Sequence, residues 1–370
     1  MKTIFNINRN HFFQICLIFF FTRVLIFVIG GLSYSMFAEN GQIHKKRTIT
    51  EALDIRTIWE RSDTGWYIKL AQEGYPRRRF TDDIQETWGF MPLYPLGMNI
   101  IAKITGLSLF ASGLFMSNIC SFLAMFFLYR LGQEKFGQGI RTVVLLMVSA
   151  GTFYLNIVYP ESLFVLLTSL VFYFSYKQNY WWALIFAGFA SVTRIQGCLL
   201  FVIPCIEILV RYGRNSYRYL PALFLGLLPM AFFMIYLALT CGEPIAFITI
   251  QHAWGSSNLF PLQGFMSISS GVRPGGSLTN ASFWLIMIGA VGYSYKKLPL
   301  SYLIFTALYI LISTSNSMLW GSPRYMLGLL PVFIAVSIGP NCIKQSFVLI
   351  NILFLSLMIA AFVTNTMTFL

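Results

Sequence analysis

The chain has 370 residues, of which 57% are hydrophobic and 11% charged, where a soluble domain carries about 25% charged residues. Apolar runs long enough to span a bilayer recur along it, which excludes a soluble enzyme and makes it a polytopic, all-α membrane protein. The net charge of +13 does not point to nucleic acid, because the basic residues are scattered between apolar runs as in cytoplasmic loops, not gathered into one stripe.

The first run, 12–32, follows Lys2 and Arg9. It is longer than the ~7–15-residue apolar core of a cleaved signal and is expected to be a retained first span. Arg23 inside it is costly in lipid and should face protein or water. Residues 33–108 form a long loop expected to carry short amphipathic helices. Nine of the 13 acidic residues fall here: Glu39, Glu51, Asp54, Glu60, Asp63, Glu73, Asp82, Asp83 and Glu86. Within the loop, 91–106 (MPLYPLGMNIIAKITG) reads as an interfacial helix or a half-span whose start is broken by Pro92 and Pro95.

Further spans are expected at 109–129, 142–158, 162–177, 181–193, 198–210 and 219–240, then at 283–295, 299–313, 324–340 and 346–368. That makes about eleven transmembrane helices, with a second long loop at 241–282 rich in Gly, Ser, Pro and Gln. The whole of 1–370 reads as one integral membrane domain: first helix 12–32, loop 33–108, helices in 109–240, loop 241–282, helices in 283–368. Five of the six cysteines, Cys16, Cys120, Cys198, Cys205 and Cys342, lie in apolar runs and show no metal-ligand spacing.

Placing the N-terminus inside puts Lys2, Arg9, Arg130, Lys135, Arg141, Lys177, Arg211, Arg214, Arg218, Lys296, Lys297 and Lys344 in short cytoplasmic connections. The two long loops are then extracytoplasmic. So are Asp63, Glu161, Arg194, Gln251, His252 and Arg324, which gather at one membrane face. Ionisable groups at a membrane edge are costly and point to function by default. Phosphate-loop, dinucleotide and zinc-protease motifs are absent, as is a nucleophile elbow. A wet polar site reached both from lipid and from water suits a lipid-linked substrate.

Six blocks then carry a resemblance. RSDTGWYIKLAQEGY (61–75) is similar to R-W-D-x-x-W-Y-x-x-I-A-x-x-G-Y, the first-loop signature of the GPI mannosyltransferase 2 (PIG-V) family and its bacterial relatives. In the same order, FMPLYPL (90–96) resembles F-F-P-L-Y-P-L, VYPESLF (158–164) resembles V-Y-T-E-S-L-F, and ASVTRIQG (190–197) resembles A-S-L-T-R-P-x-G. PIAFITIQHAW (244–254) and GSPRYMLGLLP (321–331) are similar to the family's last two blocks. The sequence departs at Ser62, where the family has Trp, at Pro160, and at Ile195 and Gln196.

The resemblance implies a GT-C fold and an inverting mannosyl transfer from a polyprenyl- or dolichyl-phosphate-mannose donor to a hydroxyl of a glycolipid, glycan or protein. No cofactor or metal is implied, the lipid-phosphate sugar being a substrate. A bacterial plasma membrane is expected, or the endoplasmic reticulum in a eukaryote, with the active site extracytoplasmic. The chemistry suits the residues. Inversion needs one carboxylate base, for which Asp63 is the candidate. A phosphate leaves as a stable anion and needs cationic contacts in place of a general acid. Arg194 and Arg324 are candidates for that, with pairing to Glu161 the structural alternative. Trp66 and Tyr67 suit a sugar face or the membrane interface. Glu161 would orient a sugar hydroxyl or pair with an arginine, and Gln251 and His252 would contact the acceptor.

The run Arg77–Arg78–Arg79 would attract a lipid phosphate or be balanced by Asp82 and Asp83. A flippase for lipid-linked sugars is the competing reading, for which polar groups nearer mid-membrane and repeat symmetry would be expected. A structural subunit of a membrane complex is a third.

Overall fold

The computed structural model describes residues 8–36, 51, 53–254, 263–266, 274–315, 319 and 321–365. Every regular element among them is helical, as hydrocarbon demands of a chain that must satisfy its own backbone. In order the α-helices of five or more residues are α1 (Arg9–Met36), α2 (Ile55–Trp59), α3 (Thr64–Glu73), α4 (Leu93–Thr105), α5 (Leu109–Phe136) and α6 (Gly139–Met147). Next come α7 (Glu161–Tyr176), α8 (Tyr180–Ser191), α9 (Val202–Tyr212) and α10 (Leu220–Cys241). The last are α11 (Pro274–Ser294), α12 (Leu300–Ser313), α13 (Ser322–Met326), α14 (Leu330–Ile338) and α15 (Asn341–Val363). Part of the second expected loop, 241–282, lies outside the described residues.

Among the described residues, four helical stretches are long and apolar enough to cross a membrane: α1, α5, α15 and the run Ile195–Cys241, which joins α9 and α10 through 3-10 turns. This is a polytopic membrane protein. Shorter apolar helices, α7, α8 and α12, fill the bundle. Helix α5 shows how an end is set. Ser108 caps its start by accepting from the Ala111 N–H at 3.2 Å, and Gly137 ends it in the left-handed region at φ 69°. Arg23 of α1 does face protein: its Nε donates to Asn118 at 3.1 Å and its Nη2 to Ser121 at 2.5 Å, both on α5.

Helix α7 is the axis of the bundle. Nearly every one of its side chains is buried, including Glu161 at its first position. It packs on α5 and α8. On the far side, α8 meets α10 so closely that a Cβ on Gly188 would lie 2.0 Å from the carbonyl oxygen of Gly226.

Two expected spans are broken. For 142–158, α6 stops at Met147 because its ladder is diverted. The hydroxyls of Ser149 and Thr152 both donate to the Leu146 carbonyl, and the Ala150 N–H goes to Asn351 of α15 at 3.0 Å. A 3-10 turn, Thr152–Leu155, follows. For 324–340, α13 ends at Met326 and α14 starts afresh with a proline in its first turn. The segment 91–106 contains one helix, α4. It packs on α3 and α5 and leaves Leu96, Ile100 and Ile104 exposed along one side.

Candidate active site

The first loop folds back onto the bundle through α3. Asp63 stands at the N-cap of α3, yet its carboxylate makes no cap bond. The residue before it, Ser62, has φ 50°, a left-handed conformation that a side chain adopts only at a cost. The Asp63 N–H donates to the Tyr159 hydroxyl at 3.0 Å. With its backbone so anchored, Asp63 turns its Oδ2 to the Nη1 of Arg324, 2.8 Å away.

Arg324 is the hub. Its Nε donates to Oε1 of Glu161, and the Nη1 of Arg194 donates to that same oxygen. Its Nη2 reaches the Tyr67 hydroxyl at 3.4 Å. Its guanidinium lies 4.8 Å from the ring centre of Tyr159 and 5.6 Å from that of Tyr154. Exposure rises from the inside outwards: 1% for the Glu161 side chain, 9% for Arg194, 19% for Arg324 and 30% for Asp63. The network therefore runs from a buried carboxylate to one that meets solvent. Both arginines use Oε1, so Oε2 of Glu161 is buried with no hydrogen bond among the described residues, an acceptor left open.

Close approach of two turns makes the hub possible. A Cβ on Gly151 would sit 2.1 Å from the carbonyl oxygen of Pro323 and 3.2 Å from the Arg324 nitrogen. Burial pushes the Tyr67 phenol above its ordinary value, aided by Glu161 and Asp63 and opposed by Arg324. Tyr67 thus keeps its proton, and its oxygen can accept from Arg324 while its O–H donates elsewhere.

Trp66, beside Tyr67, turns to an aromatic shelf. Its ring stacks on Phe90 with centres 6.1 Å apart and meets Trp254 edge-on at 5.2 Å. The indole N–H of Trp254 is buried with no partner among the described residues. Lys69 lies 5.3 Å over the Trp66 ring and binds Glu86 at 2.8 Å. Of the arginine run, Arg78 pairs with Glu86 at 3.3 Å, so its balance comes from Glu86 and not from Asp82 or Asp83.

The expected site residues thus divide. Asp63, Tyr67, Glu161, Arg194 and Arg324 are brought into one network, and Trp66 lies on the adjoining shelf. Gln251 bonds the Phe247 carbonyl of its own helical turn, and His252 is exposed with no hydrogen bond among the described residues. Neither joins the network. Sequence reasoning missed Tyr154, Tyr159 and Trp254. Tyr159 and Trp254 lie inside quoted blocks, and Tyr154 had no signal.

From Asp63, α3 rises roughly 10 Å to Leu70. There an apolar cavity of about 520 Å³ opens, lined by Leu70, Tyr75, Pro92, Leu93, Phe189 and Phe233 among others. Among the described residues no three His, Cys, Asp or Glu side chains cluster as a metal site.

No protein-family model and no curated protein matches the chain. Solved structures do. The apo oligosaccharyltransferase of Archaeoglobus fulgidus aligns with a TM-score of 0.52 at 13% identity, covering 92% of this chain and 56% of its own. ArnT from Cupriavidus metallidurans, bound to undecaprenyl phosphate, aligns with a TM-score of 0.49 at 12% identity, covering 94% of this chain and 76% of its own. The present chain spans little more than half the length of the archaeal enzyme. The helical membrane fold is shared with the archaeal oligosaccharyltransferase.

Proposed function

We propose that this protein is a membrane glycosyltransferase that moves a sugar, mannose by the six-block resemblance, from a lipid-phosphate donor to an acceptor hydroxyl. The observation that carries this reading is the single guanidinium of Arg324 held between Asp63 and Glu161 at the solvent end of a buried ion network. In the step proposed, the acceptor oxygen attacks the anomeric carbon as the bond from that carbon to the phosphate oxygen breaks. Asp63 takes the acceptor proton, and the lipid phosphate departs as an anion. No general acid is needed, unlike the paired carboxylates of glycoside hydrolysis.

Arg324 has two tasks in this scheme. Before the donor arrives it neutralises Asp63. A donor phosphate competes for the same Nη1 and releases the carboxylate to act as base, so the base is uncovered when the leaving group is in place. Arg194 holds Glu161 in orientation, and the open Oε2 of Glu161 accepts a sugar hydroxyl. Trp66, Phe90 and Trp254 offer a face to the sugar. The apolar cavity beside Leu70 takes the first isoprene units of the donor tail. His252 and Gln251 are kept as acceptor contacts from the resemblance alone.

A transfer assay tests the reading and separates it from the flippase. Purified protein is given polyprenyl-phosphate-mannose and a panel of glycolipid, glycan and peptide acceptors, and is also reconstituted in vesicles. Transfer to one acceptor class with release of the lipid phosphate supports the proposal. Translocation of the lipid-linked sugar without transfer overturns it.

A further inference from the structure

A second cavity lies at the other end of the bundle. Glu161 opens α7 and Ser175 and Tyr176 close it, so the two sites are roughly 22 Å apart along that helix. The cavity, of about 280 Å³, is formed where α5, α7 and α9 end and α8 and α12 begin. Its polar lining includes Lys135, Ser175, Gln178, Tyr180, Glu207 and Arg211.

The charges in it are arranged unusually. Lys135 donates one hydrogen bond, to the Tyr302 hydroxyl at 3.3 Å, and lies 4.5 Å over the Tyr302 ring. Glu207 accepts one, from the Ser301 hydroxyl at 3.1 Å. Both side chains are half-buried, yet among the described residues neither lies within salt-bridge distance of an opposite charge. Their neighbours behave otherwise: Glu134, one residue before Lys135, binds both Arg130 and Lys177. The hydroxyl of Ser175 is buried without a partner among the described residues. The opposite charge each senses is the other's, across the cavity and beyond contact, and a half-buried charge without a contact partner is costly. Here a cation and an anion each keep unused hydrogen-bonding capacity across a space the size of a small headgroup.

We propose that this cavity binds a phosphoethanolamine group, with its phosphate on Lys135, Arg211 and Ser175 and its ammonium on Glu207. The ligand gives each of the two charges a partner in contact at once, which a simple anion such as phosphatidylglycerol cannot do. A choline group is also the poorer fit, since its quaternary nitrogen has no N–H to give the Glu207 carboxylate. The basic ends of α5 and α9 mark this as the cytoplasmic membrane edge, where phosphatidylethanolamine is the local source of the group. The inference concerns a site distinct from the proposed active site and stands or falls apart from it.

Native mass spectrometry on the full-length, delipidated protein tests it, with phosphatidylethanolamine, phosphatidylglycerol and phosphatidylcholine of identical acyl chains added at equal concentration. Preferential retention of the ethanolamine lipid is expected. Glu207→Gln should cut that preference about tenfold, the worth of one charge-assisted hydrogen bond, while leaving phosphatidylglycerol binding unchanged. Lys135→Met should weaken both lipids. Displacement by soluble phosphoethanolamine would identify the headgroup alone as sufficient. Resistance to it, with the lipid preference intact, would identify the membrane lipid as the ligand. Equal retention of the three lipids by the unsubstituted protein overturns the proposal without relying on any variant. So does an undiminished ethanolamine preference in a folded Glu207→Gln protein.

Discussion

Arg324 touches Asp63 and Glu161 with different nitrogens of one planar group, a fixed spacing that the single nitrogen of a lysine lacks. Arg324→Lys keeps the charge and loses the fork. The account predicts a donor KM raised about tenfold or more with kcat less affected, since a ground-state phosphate contact is lost; unchanged donor affinity counts against a phosphate role. Glu161 makes a different prediction. Its removal leaves Arg194, only 9% exposed, without a carboxylate. Glu161→Leu should therefore cost about 3 kcal/mol of stability, read as a lowered melting temperature, whereas Arg194→Leu together with Glu161→Leu should cost less than the sum. These charged positions were legible in the sequence because ions are rare in so apolar a chain and topology sorts them to one face. Of the tyrosines around Arg324, Tyr67 was legible, and Tyr154 and Tyr159 were not. With 19 tyrosines and 36 phenylalanines in the chain, one more ring at a membrane edge carries no signal. Ser62, where the resembled family has Trp, lies at a left-handed bend immediately before Asp63. The substitution thus sits at the turn that aims the candidate base.

At the scale of elements, hydropathy found where the chain is apolar but not where its helices break. The stretch 142–158 carries no charged residue, and nothing local says that Asn351, some 200 residues away, takes the Ala150 N–H. That break supplies Tyr154 and Tyr159 and lets Gly151 abut Pro323. Gly151→Ala would drive a Cβ into the Pro323 carbonyl at 2.1 Å, and the turn bearing Arg324 would have to shift. Transfer should fall at least about tenfold while the protein still inserts and purifies, because the clash is local and backbone placement at a site tolerates little error. Activity within twofold of the unsubstituted protein would show that the turn's position is not critical. The short helices of the first loop were expected. Their anchoring by Tyr159 and by the Glu86 pairings with Lys69 and Arg78 depends on contacts that spacing along the chain does not reveal.

For the whole molecule, the two polar ends of α7 imply a sided protein. The charge pattern predicts the first loop outside and the Gly213–Tyr219 turn inside. In a variant freed of its six native cysteines, Asp83→Cys should react with a membrane-impermeant thiol reagent in intact cells, and Asn215→Cys only after permeabilisation. The reverse pattern would invert the orientation and move the proposed active site to the cytosol. The fold class was readable from composition and block order, and the shared fold with a longer archaeal glycosyltransferase agrees with it. The acceptor was not readable, since it depends on the shape of a loop surface built from residues far apart in the chain.

The central claim is that Asp63 is the base of a sugar transfer, and one comparison tests it most directly. Asp63→Asn keeps the size of the side chain and removes its basicity. Single-turnover transfer from polyprenyl-phosphate-mannose should fall by ~10²-fold or more, with donor binding and melting temperature near those of the unsubstituted protein. Transfer within a few-fold of normal by a folded, donor-binding Asp63→Asn protein would contradict the account.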